Sequence, residues 1–177
     1  MRQRSRGQRG FTLVELLIVV AIIGILAVIA VPALVRARIS GNEASAVGSL
    51  RAINSSETSY AGSAGRGGYA VLLATLAASC PSSTLGFISP DLASDPSQKS
   101  GYAVALSAST GAVPGPNDCN GTATRTGFYV NAVPVSVGVS GHRAFASSGN
   151  GTIFFDSSGV APTEAQMAPG GGATPIQ

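Results

Sequence analysis

Residues 16–35 read LLIVVAIIGILAVIAVPALV, twenty consecutive positions without a charge or a strongly polar group. Wound as a helix that rises about 1.5 Å per residue, they cover about 30 Å, the thickness of a bilayer's hydrocarbon core. A core helix of a soluble domain rarely stays apolar all round for so long. It predicts a membrane-spanning helix. Arg2, Arg4, Arg6 and Arg9 precede it, and by the positive-inside rule they hold the N-terminus in the cytoplasm and send everything after Val35 outward.

Those four arginines also explain the overall charge. The chain carries a formal +3 with a pI near 9.2. Four of its eleven basic residues lie in the first ten positions, and the seven that remain are outnumbered by eight acidic ones. The basicity belongs to the leader, so a nucleic-acid partner is not expected. Only 11% of the 177 residues are charged and 45% are hydrophobic, against about 25% charged in an ordinary soluble domain.

Past Arg36 and Arg38 the pattern turns amphipathic, with Ile39, Ala46, Leu50, Ile53 and Tyr60 recurring at about 3.5 residues or multiples of it. The helix therefore continues to about residue 61 with one buried face. Pro32 removes a backbone donor and crowds the carbonyl of Val28, which predicts a kink or break there, and Gly24, Gly41 and Gly48 weaken the helix locally. The glycine-rich run at 62–68, GSAGRGG, ends it.

Residues 69–78 can form a brief second helix, and 80–100 read as loop. Strand signals follow at 102–106, 128–139 with Pro134 interrupting, 142–146 and 152–156, the last two joined by Gly149-Asn150-Gly151 as a hairpin turn. The expected class is α+β: a long N-terminal helix, membrane-spanning in its first half, packed on a small antiparallel sheet. The expected divisions are a leader at 1–10, the helix at 11–61, a globular head at 62–161 and a flexible Pro/Gly-rich tail at 162–177.

Cys80 and Cys119 are the only cysteines, and no other cysteine or histidine stands at metal-ligand spacing, so no metal site is assigned. In an oxidising compartment the two are expected to pair, and in a reducing one they would be separate buried thiols.

The residues around the leader boundary, QRG-FTLVELLIVVAIIGILAVIAVPAL from Gln8, resemble the N-terminal cleavage and methylation motif of type IV prepilins and type II secretion pseudopilins. The resemblance implies cutting between Gly10 and Phe11 by a membrane-embedded prepilin peptidase, followed by methylation of the Phe11 amine. It implies that Glu15 pairs with the Phe11 amine of a neighbouring subunit during filament growth, and that Gly24 and Pro32 bracket a stretch that can unwind on assembly. An ordinary secretory signal is cut after its apolar region, whereas this cut precedes it and retains the helix. Glu15 is the one charge between Phe11 and Arg36, and a carboxylate in hydrocarbon costs several kcal/mol unless it lies at the interface or is paired. From the residues alone, a carboxylate at the cytoplasmic membrane surface and a pair with its own Phe11 amine both remain open. The implied partners are other copies of this chain, the peptidase and methyltransferase, an inner-membrane assembly platform, and the lipid bilayer before assembly. The implied location is the inner membrane, head outward, and then an extracellular pilus.

Nothing points to catalysis. His142 is the only histidine, and the chain has neither a Gly-x-Ser-x-Gly elbow nor a His-Glu-x-x-His pair. No cofactor is expected. Asp91 and Asp95 are weak candidates for calcium. Three readings remain in play: a type IV pilus subunit, a pseudopilin of a type II secretion system, and a single-pass membrane-anchored binding module.

Overall fold

In the computed structural model, which describes residues 11–176, helix α1 runs from Leu13 to Ser63. The chain divides at Ala37/Arg38 into two compact units. In the first, every large apolar side chain from Phe11 to Val35 is exposed. In the second, α1 buries Ile39, Glu43, Ala46, Ser49, Leu50, Ile53, Glu57 and Tyr60. Seven of these follow strict alternating steps of four and three residues, which keeps them on one face of the helix.

That face packs on a six-stranded antiparallel sheet. Its strands are β1 (Ser97–Lys99), β2 (Tyr102–Ala108), β5 (Phe128–Pro134), β6 (Ala144–Ser148), β7 (Ile153–Asp156) and β8 (Thr174–Pro175), in the order β1-β2-β5-β6-β7-β8. A separate two-stranded ladder pairs β3 (Pro114–Asn117) with β4 (Ala123–Arg125). Along β5 the residues alternate, with Phe128, Val130, Ala132 and Pro134 buried, as the period-two geometry of a strand requires. Phe128, Val130 and Ala132, together with Val104, Leu106 and Phe145, meet Leu50, Ile53 and Tyr60 of α1, and helix α2 (Leu73–Ala77) adds Leu73 and Leu76. This is the expected α+β arrangement of a long helix on an antiparallel sheet.

Two expectations differ from the structure. The helix passes uninterrupted through Gly24 and Pro32. A proline deletes one donor from the ladder, and the bonds on either side of it hold the helix together. The brief second helix expected within 69–78 is present as the five residues Leu73–Ala77.

The tail from residue 162 is structured up to Ile176. Thr163 caps helix α3 (Glu164–Met167) in a reciprocal box with Gln166, Met167 is buried, and β8 adds to the sheet beside β7. A capping box satisfies two helix-end donors at once, and this local signal outweighs the disorder-like composition around it.

Candidate functional site: the N-terminal helix

The first turn of α1 is built by Thr12 and Glu15. Thr12 Oγ1 accepts a hydrogen bond from the Glu15 N–H at 3.2 Å, while Glu15 Oε2 accepts from the Thr12 N–H at 2.9 Å and the Thr12 hydroxyl at 2.8 Å. This is a capping box, which satisfies two of the donors left over at a helix start and places a negative charge at the positive end of the helix dipole. The carboxylate is thereby held at a fixed position near the helix entry. Sequence reasoning assigned Glu15 but missed Thr12, although the T-x-x-E spacing was there to be read.

Phe11, 87% exposed, stands just ahead of this cap. Beyond it the helix is apolar all round. Seventeen large apolar side chains from Phe11 to Val35 are exposed, the most hidden of them, Val35, by only a little more than half. At about 1.5–3 kcal/mol for each such side chain fully buried, leaving this surface in water costs on the order of tens of kcal/mol. Mean hydropathy reaches 3.1 over its most apolar eighteen residues, and the helix is long and apolar enough to cross a membrane.

The family model described as the prokaryotic N-terminal methylation motif matches residues 5–31. The chain carries the type IV pilin and pseudopilin signature. No curated protein and no solved structure matches the chain significantly. The motif supports a type IV pilin-like or pseudopilin subunit. Membrane anchoring fits both the motif and the apolar helix.

The structure groups the assigned residues unevenly. Gly10 lies outside the described residues. Phe11 precedes the cap and Glu15 is part of it, and Gly24 and Pro32 lie within the same exposed helical segment. Cys80 and Cys119 are far along the chain, in the head, where they form a disulfide with Cα atoms 5.6 Å apart. That bond ties the loop after α2 to the turn between β3 and β4.

Asp91 and Asp95 have separate partners. The first pairs with Lys99 Nζ at 2.6 Å, and the second accepts from the Ala74 N–H at 3.1 Å. His142 is exposed on the loop before β6, and its backbone N–H donates to Glu43 Oε1 at 3.0 Å.

Proposed function

We propose that the chain is a structural subunit of a type IV pilus-like filament, cut between Gly10 and Phe11, methylated on the Phe11 amine and polymerised through its N-terminal helix. The observation that carries this reading is an apolar helix, exposed on all sides, that begins at a motif-borne glutamate fixed by its own cap. Such a surface needs a bilayer first and neighbouring helices afterwards, and a retained rather than discarded apolar segment supplies both. Cleavage would place a new positive amine immediately ahead of Thr12. Within a water-poor bundle of helices, an amine from one subunit and the Glu15 carboxylate of the next attract strongly and set the axial register. The cap supports this role because it presents the carboxylate in one orientation before the partner arrives. Gly24 and Pro32, both of low helical propensity, then bracket the stretch that opens in the filament.

The test is Glu15→Ala in the native cells. Surface filaments are expected to disappear while the membrane-bound pool of subunit persists. Normal filaments from the variant would instead favour a membrane-tethered module whose head works alone.

A further inference from the structure

Of the seven large apolar side chains exposed beyond Arg38 among the described residues, four gather at one end of the head: Val135, Val137, Val139 and Val160. Three lie on the loop between β5 and β6, which is folded into a tight turn. Ser136 accepts at its carbonyl from the Val139 and Ser140 N–H groups at 3.1 and 2.9 Å, and the Gly138 N–H donates to the Gly141 carbonyl at 2.8 Å. Val160 joins them because Gly159, at φ +81°, lies so close to Val137 that a Cβ there would stand 2.6 Å from Val137 Cγ2. The valine side chains are thus displayed by rigid backbone and are more than half exposed. A lone surface valine is ordinary, whereas four on one built tip mark an interaction surface.

Along the chain, this tip is tied close to the apolar stretch. Asn42 Nδ2 donates to the Ser140 carbonyl at 2.9 Å, and a Cβ on Gly101 would stand 3.3 Å from the same nitrogen and 2.7 Å from Ser140 Cβ. Asn42 comes seven residues after Val35, the last residue of the apolar stretch, a tether no longer than about 25 Å even if fully extended. The opposite end of the sheet, where Asn54 reaches the Gly151 carbonyl, is attached a further twelve residues along. Arg36 and Arg38, which suit anionic headgroups, follow the apolar stretch directly. The acids at this end are engaged: Glu43 by Arg143, and Asp156 by the Ser158 N–H at 2.7 Å.

Resting on the membrane-anchored reading above, the geometry points to a docking function for this tip: before assembly, Val135, Val137, Val139 and Val160 seat the head on the outer surface of the bilayer that holds its own helix. Apolar side chains of an interfacial segment sink about 5–10 Å, to the boundary of headgroup and acyl chain. The contact is lost on extraction from the bilayer, which leaves the same tip free in the growing filament.

The chain contains no tryptophan, so single substitutions report position without background. The full chain is reconstituted in vesicles of phosphatidylcholine and phosphatidylglycerol whose acyl chains are brominated near the carbonyl or near the methyl end. Three variants are compared: Val139→Trp on the tip, Val113→Trp, also more than half exposed but toward the far end of the sheet, and Leu26→Trp in the apolar helix. The expected result is quenching of Val139→Trp by shallow bromines by about half, consistent with interfacial depth, together with deep quenching of Leu26→Trp and none of Val113→Trp. If Leu26→Trp is quenched and Val139→Trp behaves as Val113→Trp does, docking is overturned while membrane anchoring stands. A Val139→Trp emission shifted to the blue yet indifferent to bromine overturns it too, and assigns the tip to a second copy of the chain. An unquenched Leu26→Trp overturns docking along with the anchored reading on which it rests.

Discussion

Glu43 and Arg143 lie a hundred residues apart in the chain and form an ion pair with Arg143 Nη2 at 2.7 Å and Nε at 2.9 Å from one carboxylate oxygen. The other oxygen accepts from the backbone N–H groups of His142 and Arg143 at 3.0 and 3.2 Å. Burial pushes this carboxyl up, and the His142 and Arg143 hydrogen bonds with the guanidinium charge outweigh it, holding the group below the usual carboxylate range. The guanidinium also lies over the Phe145 and Phe155 rings, 5.5 and 5.1 Å from their centroids. The contact pins the first turns of the head's helix to the edge of β6, a few residues beyond the apolar stretch.

Arg143→Ala should therefore destabilise the head by about 2 kcal/mol, discounted from a fully buried pair because the arginine is partly exposed. Arg143→Lys should recover only part, since an ammonium cannot make both guanidinium contacts. Chemical denaturation of the full chain in detergent reads both, and equal midpoints for lysine and alanine would show that fork geometry plays no part.

Glu57 has no such rescue. It is fully buried, Oε2 accepts one hydrogen bond from the Ala70 N–H at 3.0 Å, and Oε1 has no partner among the described residues. Burial pushes its carboxyl from an ordinary 4.5 up to about 8, against the smaller downward pull of the Ala70 N–H. Below about pH 4.5 folded and unfolded chains both hold this proton. As pH rises from there to about 8, only the unfolded chain releases it, so stability is lost across that window, on the order of a few kcal/mol. Glu57→Gln keeps the acceptor for Ala70 and removes the titration, and denaturation midpoints measured from pH 4.5 to 8 should flatten in this variant. Parallel pH profiles for wild type and variant would contradict the assignment.

The ordered tail yields a third expectation. Pro162 is buried and its carbonyl accepts from the Tyr129 hydroxyl at 2.8 Å, while the Ile176 N–H donates to the Ile153 carbonyl at 2.8 Å. Ending the chain at Ala161 should cost about 2–4 kcal/mol from lost burial of Pro162 and Met167 alone. An unchanged midpoint would mean that the tail contributes nothing to the head.

The disulfide gives a fourth. Cys80 and Cys119 close a loop of sequence separation 39, and replacing both by alanine should lower stability by about 2–4 kcal/mol. Reduction of the wild type should reproduce the variant's midpoint, and a reduced wild type as stable as the oxidised one would contradict this.

The helix and the four principal strands were legible because burial leaves a period in the sequence. The same period, read strictly, has gaps at 43 and 57, and the structure fills both with buried glutamates whose partners lie elsewhere in the chain. No local pattern announces Arg143 as the mate of Glu43. The short strands were illegible for a related reason: β1, β3, β4 and β8 have two to four residues, and their pairing is decided by neighbours distant in sequence. Pro114 and Pro116 even argue against β3, since proline cannot donate to a ladder. Thr12-x-x-Glu15 and Thr163-x-x-Gln166 were readable as caps, yet the first was overshadowed by the apolar run behind it and the second by surrounding Pro and Gly. At the N-terminal site, the motif and Glu15 were visible in sequence, and the structure supplied the bond geometry by which Thr12 orients Glu15.

The central claim is tested most directly by intact mass and N-terminal sequencing of the protein sheared from the surface of its native cells. A chain that begins at methylated Phe11 in filamentous material is the predicted result. An N-terminus that is intact or cut elsewhere would contradict it.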